Sequence, residues 1–229
     1  MTDTTHMNTI IFGKQMQEII SGQNITLYRV QMSINIQYSL QAGFNGAIDS
    51  FAFLLSKVEK IQRGEDFVFY KHPATPEGSV KLSSCQNSVH YTFDLDKVPE
   101  NIDKIVLTIV INGQSAISCL NDLNVTLDNE INYTVPLDER TERSLILGHI
   151  YRHQGAWKFK ALGIGFNGGL KPLAQLFGVK MADDVPANPV ATPLDKNTFS
   201  LEKKLLEKAP HLLRLVKSVK ENLKKHRLT

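Results

Sequence analysis

The sequence predicts a mainly β protein, a two-layer β-sandwich with a C-terminal helical extension. Three observations carry the prediction. Apolar and polar residues alternate with period two over many segments, those segments are short and evenly spaced, and a clear helical period appears only near the C-terminus. A sheet with one apolar face must bury it, and a second sheet does so most simply.

Residues 1–21 leave their role open, since IIFGKQMQEII fits a strand or a short helix. A β domain is expected over residues 22–180. In NITLYRVQMSINIQYSL, Ile25 and Leu27, then Met32, Ile34, Ile36 and Tyr38, alternate with polar neighbours. SFAFLL, DFVFYKH, VHYTFDL, KIVLTIVING and NEINYTVPL are short, β-branched or aromatic, and fit strands. LILGHIYRHQGAWKFKALGIG reads as two strands around the turn His153-Gln154-Gly155-Ala156. AFLLSKVEK and the start of TERSLILG are compatible with helix. PLAQLFG predicts one or two helical turns closed by Gly178. Residues 181–198 hold Pro186, Pro189 and Pro193 and predict a semi-extended linker. Residues 199–229 predict a basic amphipathic helical tail. Leu201, Leu205, Leu212, Leu215, Val216, Val219 and Leu223 fall at three- and four-residue spacings. Ser200 suits an N-cap, and Pro210 either splits the segment or opens its second helix.

The net charge of +3 is unevenly placed: from Phe199 onward nine basic residues stand against three acidic ones. The basic character belongs to the tail. No run of about 18 apolar residues predicts a membrane span. MTDTTHMNTI lacks the basic-then-apolar order of a secretory signal, so Cys85 and Cys119 are expected as reduced thiols in a cytoplasmic protein. Without export, the glycosylation patterns at Asn24, Asn124 and Asn132 carry no meaning.

Four stretches resemble the TerD family, the tellurite-resistance and stress-response domain. They are SGQNITL, AIDSFAFLL, DFVFYKHPATPEGSV and LGHIYRHQGAWKFKALGIGFNGGLKPLAQLFGV, in family order from about Gly22 to Val179. The tail resembles the Leu-Glu-Lys helices that follow such domains in some relatives. The resemblance implies a β-sandwich and, in typical members, calcium held by clustered aspartates. A hard cation takes about 6–8 oxygens, several of them charged. Here Ala47 replaces the first acid of the Asp-x-Asp run and only Asp49 remains. After Gly78-Ser79-Val80 no acid follows until Asp94, and Lys71 and His72 stand where the family often has amides. Asp49 is therefore expected to cap a turn or to accept a hydrogen bond from the shortened loop. A different ligand in the same crevice would use Asn45, Asp49, Cys85 and Asn87. No cofactor is expected, calcium remaining the alternative that the resemblance raises.

Other chemistry is weaker. His149 and His153 would pair on a helix, but in a strand they stand roughly 13 Å apart. Cys85 and His90 match a nucleophile and base with no third group in view, so no catalytic residue is assigned. The glycines from Gly163 to Gly169 fit backbone turns with positive φ better than a phosphate cradle. Trp157 and Phe159 alternate with Lys158 and Lys160, which fits a half-buried strand with the aromatics inward rather than a base-stacking surface. The expected function is a non-catalytic module of a stress or tellurite-type resistance system. It would bind other proteins through the apolar stripe of the tail, with self-association and peripheral contact at the inner face of the membrane as further roles, and packing of the stripe on the chain's own sandwich as the structural alternative. Nucleic acid is not expected as a partner: the tail has no aromatic residue after Phe199, and its charges surround an apolar stripe rather than forming a bare arm.

Overall fold

The computed structural model describes residues 16–179. Twelve strands form two six-stranded sheets. The first sheet is ordered β1 (Gln17–Ile19), β10 (Ile131–Thr134), β9 (Leu120–Leu127), β3 (Gln31–Leu40), β7 (Ser88–Asp94) and β6 (Val80–Cys85). The second is ordered β2 (Asn24–Leu27), β12 (Ala156–Phe166), β11 (Ser144–His153), β8 (Lys104–Gly113), β4 (Gly46–Leu55) and β5 (Phe67–Val68). All pairings are antiparallel except β1 with β10, which is parallel.

Alternation explains the layers. Ile34 and Ile36 of β3, Tyr91 and Phe93 of β7, and Val125 and Leu127 of β9 turn inward from the first sheet. Ala52 and Leu54 of β4, Ile105, Leu107 and Ile109 of β8, and Trp157 and Phe159 of β12 meet them from the second. One polar contact crosses this core. The Tyr91 and Ser50 hydroxyls lie 2.9 Å apart, and Ser50 donates to the Thr108 carbonyl at 2.8 Å. Tyr91 therefore donates to Ser50. Burial pushes the Tyr91 phenol far above its ordinary range, opposed by the Ser50 contact.

The second sheet is apolar on both faces over part of its area. Phe51, Phe53 and Leu55 of β4 with Val106 and Val110 of β8 turn outward. The helix α1 (Leu170–Phe177), the one α-helix among the described residues, covers them with Leu173, Ala174 and Phe177. Gly178, at φ 80, ends α1 in the left-handed conformation that glycine adopts cheaply. Lys60 donates to the Leu176 carbonyl at the same end, where a cation is favoured. Nearby, the fully buried Asp66 accepts N–H groups from Gln62 and Arg63 backbone and from the Arg63 guanidinium.

Several expectations resolve here. The segment before Ser21 contributes a strand, β1, held against β10. AFLLSKVEK and TERSLILG are not helical: the first lies in β4 and the turn after it, the second runs into β11. Both stretches face apolar layers on two sides, so their near-continuous apolar runs belong to doubly covered strands. PLAQLFG is helical and closes at Gly178, as expected. The linker and tail, with the stripe from Leu201 to Leu223, lie outside the described residues.

Candidate functional site

One end of the sandwich collects the residues that the sequence singles out. β3 runs out at Leu40, β4 begins at Gly46, β8 ends at Gly113, and β6 turns into β7 through Gln86 and Asn87. Asn45 pins this end with its backbone. Its N–H donates to the Ser115 hydroxyl at 2.8 Å, and its carbonyl accepts from Gln114 and Ser115 N–H groups at 3.2 Å. A Cβ on Gly113 would lie 2.5 Å from the Asn45 carbonyl oxygen, so only glycine permits this approach. Asn87, at φ 58, turns the β6–β7 hairpin, and its carbonyl accepts the Tyr38 N–H at 3.1 Å.

Asp49 is half-buried and accepts a hydrogen bond from the Asn112 side-chain amide. Its neighbour Ile48 packs toward the inter-sheet core. By alternation Asp49 belongs to the outward row of β4, with Phe51, beside Val110 of β8. Its charge reaches Tyr38, whose phenol is pushed up first by burial and second by Asp49. The donor to Asp49 is thus a neighbouring strand, and neither a turn nor the shortened loop supplies it. That supposed loop is largely β6, which belongs to the other sheet.

Cys85 stands opposite Ser88 and shares its outward face with Ser83 and His90 of the first sheet. Asp49 faces outward from the second sheet, and stacked sheets lie about 10 Å apart. Asn45, Asp49, Cys85 and Asn87 therefore share one end of the molecule without sharing a pocket. Cys85 and His90 are both exposed, and no hydrogen bond joins them among the described residues. A thiol and its base need hydrogen-bond reach, which this pair lacks.

These residues do not fit a family-type calcium site. Asp49 offers one carboxylate, and Asn112 presents an N–H to it rather than an oxygen. Asp94 ends the seven-residue β7, roughly 20 Å from the Asn87 turn, and pairs with Lys97 at 2.9 Å. Asp122 takes the Ser39 hydroxyl on the outward face of the first sheet. Among the described residues, no three His, Cys, Asp or Glu side chains converge to hold a metal.

A second surface emerges on the outward face of the second sheet, beyond the part that α1 covers. Pairing sets Lys104 of β8, Tyr151 of β11, Lys158 of β12 and Thr26 of β2 side by side. The next row holds Val106, His149, Lys160 and Asn24. His149 and His153 lie in a strand, as expected, and the Tyr151 ring sits between them at 5.1 and 6.2 Å, edge-on. Lys104 pairs with Glu59. Burial and then the charge of Lys104 push the Lys160 ammonium down. Sequence reasoning placed Lys158 and Lys160 outward but missed Tyr151 and Lys104. The period of β11 contained the first, whereas only the β8–β11 register could supply the second.

Comparison with known proteins places the chain among relatives. The TerD domain family model matches residues 14–177. The chain is 35% identical over 170 residues to the tellurium resistance protein TerA of an Alcaligenes species, covering 70% of this chain and 50% of that protein. It thus spans about half the length of that relative. It is 32% identical over 191 residues to general stress protein 16U of Bacillus subtilis, covering 76% of this chain and 99% of that protein. A solved Streptomyces coelicolor homologue of the telluride resistance protein TerD superposes with a TM-score of 0.52 at 15% identity, covering 63% and 94% of the two chains. That likeness concerns the fold alone.

Proposed function

This chain belongs to the TerD family, and from that premise we propose that it is a non-catalytic stress- and tellurite-resistance module acting by binding protein partners. The observation that carries the reading is Asp49, a lone carboxylate already engaged by Asn112 where the family resemblance implies several acids. A framework that keeps its sheets without its acids is suited to presenting surfaces rather than sensing an ion. The stripe Leu201, Leu205, Leu212, Leu215, Val216, Val219 and Leu223 is the docking element of this reading, pairing with an apolar groove on another protein or a second copy. The place of action is the cytoplasm, with the basic flank of the stripe suited to transient contact with an anionic membrane surface. Among the described residues, no helix is long and apolar enough to cross a membrane.

The test uses the full chain. Leu212→Glu with Leu215→Glu places two charges in the stripe, at positions outside residues 16–179. Affinity capture from stressed cells should recover defined partners with the native chain and lose them with the variant, while far-ultraviolet circular dichroism stays unchanged. Equal recovery by both overturns the reading. Calcium sensing around Asp49 is the competing class, and calcium titration separates it. An enzyme using Cys85 and His90 has no support in their exposed placement, and no hydrogen bond joins them among the described residues.

A further inference from the structure

We propose that the outward face of the second sheet, formed by Lys104, Tyr151, Lys158 and Lys160, binds single-stranded nucleic acid. The inference is independent of the tail and of the partner reading above. Two chemical features define a sequence-tolerant single-strand site: cations spaced along a backbone track, and an aromatic face on which a base can stack. Both occur here on one flat surface. Lys158 and Lys160 point the same way from β12, two residues apart, because Trp157 and Phe159 take the inward positions. Among the described residues neither lysine has an ion-pair partner. Lys104 lies two strands away in the same row as Lys158, with Tyr151 between them.

Tyr151 is the aromatic of this face. Its ring is half-exposed and flanked along β11 by His149 and His153, each edge-on to it. That arrangement braces the ring upright from the sheet. Asn24 and Thr26 of the edge strand β2 extend the two rows with an amide and a hydroxyl, both suited to phosphate or sugar oxygens. The four strands β8, β11, β12 and β2 give a track about 14 Å wide. Glu59 engages Lys104 at the margin of this surface. The positive charge is therefore densest at Lys158 and Lys160, where a phosphate would lie if a base stacked on Tyr151. An anionic membrane offers the same charge but no use for a braced, upright ring.

The test measures fluorescence anisotropy of a labelled 15-nucleotide thymidine oligomer with the full chain in about 100 mM salt. Binding is expected, and it should fall about 10-fold for Lys158→Gln with Lys160→Gln. The logarithmic salt slope of that variant should shrink by about 1.4, from two lost phosphate contacts. Tyr151→Leu should weaken binding by about 5- to 100-fold while leaving the salt slope unchanged. Because the tail is also basic, Lys224→Gln with Lys225→Gln serves as the comparison and should change affinity less than the face variants do. The substituted side chains of the face, Tyr151, Lys158 and Lys160, are half-exposed, and a thermal melt checks that each variant stays folded. The proposal is overturned if the oligomer does not bind, or if the face variants bind like the native chain. It is also overturned if only the tail variant loses affinity, or if the face variants change binding to phosphatidylserine vesicles but not to the oligomer.

Discussion

Ser50→Ala should destabilise the sandwich more than Tyr91→Phe, although the two residues share one hydrogen bond. Tyr91 has 0% exposure and its hydroxyl donates to Ser50, which in turn donates to the Thr108 carbonyl. Removing the serine hydroxyl strands a buried phenol donor and takes a second hydrogen bond from the Thr108 carbonyl, which the β4–β8 ladder already engages. An unsatisfied buried group costs about 1–3 kcal/mol, so about 2 kcal/mol is expected. Removing the phenol hydroxyl leaves Ser50 still donating to Thr108, and the loss should be about 1 kcal/mol. The double variant strands no donor, since the Thr108 carbonyl stays within the β4–β8 ladder, and should cost less than the sum, with a coupling of about 1 kcal/mol. Urea unfolding reads these values through Trp157, the single tryptophan of the chain, which is buried on β12. At this size each kcal/mol lowers Tm by about 2–4 °C, so Ser50→Ala should fall about 4–8 °C. If Tyr91→Phe proves as costly as Ser50→Ala, or the two effects simply add, the assigned direction of the hydrogen bond is wrong.

Four further outcomes follow from the same geometry. The folded-state phenol of Tyr91 is raised above its unfolded value, so its contribution to stability is constant below about pH 10 and is lost as pH climbs further. Alkaline unfolding of Tyr91→Phe should accordingly begin later than in the native chain, whereas neutral-pH melts report only the hydrogen bond. Asp66→Ala should cost about 2–3 kcal/mol in urea unfolding, because a buried carboxylate accepting backbone and guanidinium N–H groups disappears. Gly163→Ala should cost about 2 kcal/mol by the same assay: the residue sits at φ +69, and its new Cβ would lie 2.6 Å from the Tyr133 hydroxyl that Ser21 engages. Asp49→Asn should leave Tm within about 2 °C, yet ultraviolet titration should show a tyrosine ionising earlier, since Tyr38 loses a neighbouring negative charge.

Much of this fold was legible because strand alternation is written directly in residues. Ile34 and Ile36, Trp157 and Phe159, and the Gln154–Gly155 turn needed no partner to be recognised. Doubly covered strands were harder. Around Phe51, Phe53 and Leu55 both faces are apolar, so period two fades and a helical reading competes. β9 carries only modest β-branching and was not predicted, because its pairing with β3 rather than its own composition defines it. The site was legible in part. The loss of acids around Asp49 is visible in the sequence, but its engagement by Asn112 depends on the β4–β8 register. The separation of Cys85 from Asp49 depends on sheet membership, which no local pattern encodes.

The central claim is that the sandwich is retained without its ion-binding chemistry, and thermal melting of the full chain with and without 1 mM calcium tests it most directly. The account predicts a Tm that moves by less than about 1 °C. A micromolar site would add about 4 kcal/mol at that concentration and raise Tm by roughly 8–16 °C, and a rise of that size, abolished by Asp49→Ala, would contradict it.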